Sequence, residues 1–135
     1  MIVGIGVDAV SAETMQEKLS GPHGKDFLDQ SFSPEELARA CEAPHELSYL
    51  AAHYAAKQAV VKAIAPVLKA TSFSLRLIEV KDKEGDSPVL RLSPQLRDMA
   101  HTAGVDRLHI SITEELGLTI CFVVAEGAGS QRSLS

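Results

Sequence analysis

Tyr54, Gln58 and Lys62 stand four residues apart, so on a helix they form one row, with Lys57 beside it. An amide and two ammonium groups ranked in this way could hold an anionic ligand. The same spacing also fits a core helix with two solvated lysines, and spacing alone leaves both readings open. Near the start of the chain, Asp8 ends a short apolar run. A carboxylate at a strand end either caps the helix that follows or serves as a ligand.

The elements that must position these groups follow from pattern. Leu50 to Ile64, LAAHYAAKQAVVKAI, reads as the core of one long helix over about 46–65, ended by Pro66. Ala52, Ala55, Ala56, Ala59 and Ala63 recur at helical spacing, and a stripe this small can lie very close to another backbone. Ile2 to Asp8 reads as a buried strand in which Gly4 and Gly6 permit such an approach. The GIG of this strand is no phosphate loop, since the lysine and hydroxyl residue of that motif are missing.

A short helix is expected over 11–19 with Ser11 as its N-cap, then a polar, glycine-containing connection over 21–31 anchored by Phe27 and Leu28. Ser33-Pro34-Glu35-Glu36 is a helix start, and that helix runs to about Glu42 before Pro44. Phe73 to Lys81 alternates as a strand, with an out-of-step Leu77-Ile78 pair marking a bulge. A turn at 83–86 and a strand at 88–92 complete a hairpin. Ser93-Pro94 starts a helix that Gly104 ends, and strands at 108–113 and 118–125 flank a turn at 114–117. The order predicts an α+β fold, a single domain over 1–126 with a largely antiparallel sheet against one long and several shorter helices, and a flexible tail at 127–135.

A net charge of −5 argues against a general nucleic-acid or acidic-membrane binder. No apolar run approaches the roughly 20 residues of a membrane span, and the N-terminus lacks the basic segment of a signal peptide. Cys41 and Cys121 show no CxxC or Cys/His clustering and read as reduced packing thiols of a cytoplasmic protein. His23, His45 and His101 read as solvated, and Glu35 and Glu36 as helix caps.

GIGVD at 4–8, FSPEE at 32–36, YAAKQAVVKA at 54–63, IEVKDKEGDSPVL at 78–90 and HISIT at 109–113 occur in this order. Together they resemble the holo-acyl-carrier-protein synthase family, the small type of 4′-phosphopantetheinyl transferase. Its patterns read GIGxDI, Phe-Thr-x-x-Glu, FAAKEAxxKA, IEVxxxxxGxPxV and HVSISHE. The resemblance implies a transferase that moves 4′-phosphopantetheine from coenzyme A to a serine of apo-acyl carrier protein and releases 3′,5′-ADP, in fatty-acid biosynthesis and lipid metabolism. It also implies Mg²⁺ and a homotrimer with sites at subunit boundaries. By the resemblance Asp8 and Gln58 occupy the metal positions, while Lys57, Lys62 and Glu114 are the catalytic ones. Lys57, Lys62, His53 and Ala65 fall where coenzyme A is bound.

This chain departs from the family at those same positions. Gln58 replaces the metal-binding glutamate: its amide oxygen can still coordinate, but it is neutral, so the site loses one negative charge. Glu114 stands where the family has histidine, His53 where it has arginine, and Thr14 where the first helix carries a basic residue toward the carrier protein. Ala65-Pro66-Val67 replaces a glycine turn. The alternative to an active transferase is therefore a degenerate, non-catalytic paralog that binds carrier protein or coenzyme A, or assembles with an active homolog.

Overall fold

The computed structural model describes residues 1–81 and 88–128. Strand β1 (Ile2–Ser11) leads into helices α1 (Ala12–Ser20), α2 (Gly24–Ser31), α3 (Pro34–Glu42) and α4 (Glu46–Ile64). A single 3₁₀ turn (Leu75–Leu77) precedes strand β2 (Ile78–Lys81). Then come strand β3 (Val89–Leu92), helix α5 (Pro94–Thr102), and strands β4 (Arg107–Glu115) and β5 (Leu118–Glu126). The main sheet has the order β1-β5-β4, and β2 pairs with β3 in a separate ribbon. All three pairings are antiparallel. The α+β class expected from element order is the class observed. Among the described residues no helix is long and apolar enough to cross a membrane.

Helix α4 lies across β1 and β5, and small residues set how closely. A Cβ on Gly4 would sit 2.0 Å from the Ala63 carbonyl oxygen, and one on Gly6 would sit 1.9 Å from that of Ala59. Those distances admit no side chain, so glycine on the strand and alanine on the helix jointly permit the contact. Ala55, Ala56, Ala59 and Ala63 are all buried there, while Ala52, the fifth member of the stripe, is only partly covered. Strand residues alternate between faces, so Gly4, Gly6 and Asp8 all face α4, while Ile5 and Val7 point away.

Several boundaries differ from the sequence reading. Strand β1 does not end at Asp8, because Ala9 and Val10 continue the ladder against Ile120 and Thr119. Asp8 is thus an interior strand residue opposite Cys121, and Ser11 alone caps α1 by accepting from the Thr14 amide. The connection over 21–31 contains α2, whose Phe27 ring packs 5.2 Å from Tyr54 and 6.3 Å from Phe32. A helix this short is held by such packing and not by propensity, which is why local pattern misses it. The strand expected from Phe73 begins only at Ile78, since the Ser74 side chain accepts from the Arg76 amide and starts a 3₁₀ turn instead. The Leu77-Ile78 pair read as a bulge is the hand-over from that turn to β2.

The turn at 83–86 lies outside the described residues, as does 129–135 of the expected tail. Gly127 is not frayed: its amide donates to the Met1 carbonyl at 2.7 Å and its carbonyl accepts from the Met1 amine at 2.9 Å. Cys121 is buried, whereas Cys41, read as a packing residue, is exposed.

Candidate functional site

The seam between β1 and α4 brings Asp8 and Lys62 together from 54 residues apart in sequence. Lys62 Nζ donates to Asp8 Oδ1 at 2.8 Å and to the Val7 carbonyl at 3.0 Å. The two environments differ: the Asp8 side chain is 16% exposed and the Lys62 side chain 54%. An ammonium has three donors; two are spent on β1, and the third meets no acceptor among the described residues. One turn earlier on α4, Gln58 Nε2 donates to the Tyr54 hydroxyl at 2.8 Å. The Tyr54, Gln58, Lys62 row expected from spacing therefore exists. The structure adds a cation to its far end, Lys18 of α1, whose Nζ lies 5.8 Å from the Tyr54 ring centroid and 5.4 Å from that of Phe27. Nothing in the local sequence marks Lys18, because α1 and α4 meet only in the tertiary fold.

Lys57 is not part of that row. Consecutive helical residues are turned by about 100°, so Lys57 faces inward where Gln58 faces outward. Its side chain is fully buried, ion-paired to Glu36 of α3 and donating to the Ser31 carbonyl at 2.8 Å. His53 joins the same cluster, with Nδ1 3.3 Å from Glu36 Oε2 and its ring stacked 4.0 Å from that of Tyr49. The reading of Lys57 as a solvated lysine is corrected here. Lys57 and His53, both assigned by resemblance to coenzyme A binding, sit in the interior between α3 and α4. Burial alone raises the Glu36 carboxyl, but contacts from His53, Lys57 and the Ser33 amide outweigh it and hold that carboxyl at about 2. Burial pulls the Lys57 ammonium down against the upward pull of Glu36. We take the pair as ionised, because carboxylate and carbonyl oxygens both accept from the ammonium.

The remaining positions lie apart. Ala65 is buried at the end of α4, in right-handed helical conformation. Its amide donates to the Val61 carbonyl at 2.9 Å, and its carbonyl accepts from the Ala70 amide at 2.9 Å. Pro66 has no amide hydrogen, so this segment offers no row of free N–H groups to a phosphate. Glu114 is exposed near the end of β4, paired with Thr119. Strand β5 lies between it and β1, which keeps it roughly 10 Å, two strand spacings, from the Asp8 strand. His109 of HISIT alternates with the covered Leu108 and Ile110 and emerges on the opposite face, 3.1 Å from Glu126. Cys121, facing α4 beside Asp8, has its thiol pushed up to about 12 by burial and by the Asp8 charge, so it stays protonated.

This donor set does not fit a divalent cation. Among the described residues Asp8 is the carboxylate on the seam, and it is already paired with an ammonium. Gln58 is neutral: its amide nitrogen donates to Tyr54, and its oxygen, though able to coordinate, brings no negative charge to the site. Among the described residues no group of three or more His, Cys, Asp and Glu comes together.

Nearly the full length of the chain matches known proteins. A profile of the 4′-phosphopantetheinyl transferase superfamily matches residues 4–121. A holo-[acyl-carrier-protein] synthase of Anaeromyxobacter sp. (strain K) is 33% identical over 132 residues, covering 96% of this chain and 99% of the relative. One from Vibrio parahaemolyticus is 33% identical over 125 residues, covering 93% and 98%. The crystal structure of the Neisseria meningitidis holo-[acyl-carrier-protein] synthase superimposes with a TM-score of 0.82 at 31% identity, covering 93% of this chain and 99% of that one. Sequence similarity over nearly the full length, with a fold that superimposes along almost all of both chains, places the chain in the holo-acyl-carrier-protein synthase family of 4′-phosphopantetheinyl transferases.

Proposed function

We propose that the chain transfers 4′-phosphopantetheine from coenzyme A to a serine of apo-acyl carrier protein. The observation that carries this reading is the Asp8–Lys62 pair on the β1–α4 seam, within a family match over 4–121. Lys62, half exposed with one donor uncommitted, can meet the pyrophosphate of coenzyme A with a charge-assisted hydrogen bond. In the transfer, the serine Oγ bonds to the phosphorus that bears pantetheine. The bond from that phosphorus to the bridging oxygen breaks, and 3′,5′-ADP leaves with that oxygen. The serine proton ends on the released phosphate or in water. Lys62 stands where negative charge accumulates on the phosphoryl oxygens, and a fixed cation there favours the transition state. Mg²⁺, implied by resemblance, finds a poor donor set on this seam.

Assembly belongs to the same proposal. On the sheet face away from α4, Ile5 is 59% exposed, Val7 39% and Phe122 50%, with Val7 opposite Phe122 in the ladder. Bare apolar rows on a sheet are interface material, and we propose a homotrimer that covers them.

A second reading, a member that binds coenzyme A or carrier protein without transfer, is favoured by Gln58 and by the closed turn at Ala65-Pro66. Incubating the protein with coenzyme A and an apo-acyl carrier protein, followed by intact-mass spectrometry of the carrier, decides between them. Gain of one phosphopantetheine mass supports transfer. An unchanged carrier, with coenzyme A binding still seen by calorimetry, selects the second reading.

A further inference from the structure

Asp8 lies inside a strand, faces α4 and is mostly covered, so any cation that neutralises it must come from the α4 side. The chain supplies one itself. Lys62 Nζ is anchored twice on β1, by Asp8 Oδ1 at 2.8 Å and the Val7 carbonyl at 3.0 Å, which positions the ammonium and does more than balance charge. The formal charge of Asp8 and Lys62 together is zero, and Gln58 adds none. Mg²⁺ sites rely on one or two carboxylates plus substrate phosphates, with near-ideal octahedral geometry. A Mg²⁺ on Asp8 would have to displace the ammonium from that carboxylate, and among the described residues no cluster of acids is there to offset the repulsion. Glu114, the acid at the family's histidine position, lies on β4 and is separated from β1 by β5.

We propose that the Lys62 ammonium is the resident cation of the Asp8 site. It takes the pyrophosphate oxyanions of a nucleotide ligand directly, and no divalent ion binds there. The neutral Gln58 is what makes this arrangement stable: a carboxylate at that position would restore the charge a metal needs. The inference rests on the coenzyme A reading for its ligand, but its cation half stands on the β1–α4 geometry alone.

Two measurements test it. Calorimetric titration of coenzyme A is run in EDTA and again in Mg²⁺. The expected result is an affinity that differs less than about twofold between the two buffers, and falls about 10- to 100-fold in Lys62→Met, the loss of one charge-assisted contact. A requirement for Mg²⁺ overturns the proposal. Separately, Mn²⁺ is titrated by electron paramagnetic resonance into the ligand-free wild type, Gln58→Glu, and the Gln58→Glu/Lys62→Met double variant. Circular dichroism melts confirm that each is folded. Bound Mn²⁺ should be absent from the wild type and strongest in the double variant. Equal binding in all three, or none in any, overturns the cation assignment. Absence of coenzyme A binding in both buffers overturns the transferase reading and the ligand half with it, while the Mn²⁺ series still decides the cation half.

Discussion

Glu36 does two things at once. Its Oε1 accepts from the Ser33 amide at 3.0 Å to complete the capping box of α3, and the same carboxylate holds Lys57 and His53 of α4. Removing one partner of a buried ion pair leaves the other charge uncompensated, so Lys57→Met should cost about 3–5 kcal/mol in urea unfolding. Replacing both, as Lys57→Met with Glu36→Leu, should recover much of that loss. A single variant as stable as wild type would mean that the pair contributes nothing. The pH dependence has a definite sign. The folded carboxyl sits near 2 against an ordinary value of 4.5. Its stabilisation is therefore complete above the ordinary carboxylate range and is lost as pH falls toward 2. Urea midpoints should drop through that window, and drop less in Glu36→Gln.

At the scale of elements, the contact between β1 and α4 is the feature on which the site depends. Gly4 and Gly6 touch helix backbone, and Asp8 follows two residues on along the same face. Ala59 is fully buried in this contact, so Ala59→Leu should overpack it and cost roughly 1–3 kcal/mol. Gly6→Ala should act in the same direction, because its new methyl meets a carbonyl and not a flexible side chain. Both would lower the thermal midpoint and, by tilting α4 off β1, weaken coenzyme A binding. A neutral thermal shift for Ala59→Leu would contradict the buried stripe.

For the whole molecule, the sheet is covered on one face and bare on the other. Helix α4 lies on the Gly6 and Cys121 side, while Ile5, Val7 and Phe122 face outward. If those rows are the subunit boundary, Val7→Lys should convert the assembly to monomers in sedimentation velocity while its ellipticity spectrum stays native. A wild-type monomer at micromolar concentration would remove the trimer reading, and an assembled Val7→Lys would move the interface to another face.

Much of the fold is legible in the chain because its signals are local. Ser33-Pro34 with Glu36, and Ser93-Pro94, are capping arrangements complete within four residues, and α3 and α5 begin where they predict. The Tyr54, Gln58, Lys62 row of α4 and the alanine stripe are set by helical period alone, and Gly4 and Gly6 announce the close contact they make. Family membership is likewise written in motifs whose order survives 33% identity. What only the tertiary structure decides depends on partners distant in sequence. Helix α2 exists because Phe27 reaches Tyr54, and Lys57 turns inward because Glu36, 21 residues earlier, awaits it. Asp8 could be read as a cap until the ladder to β5 ran past it, and Lys62 closes on Asp8 across 54 residues. Periodicity tells which residues share a face. Which face is buried, and which charge meets which, is set by the packing of one element on another.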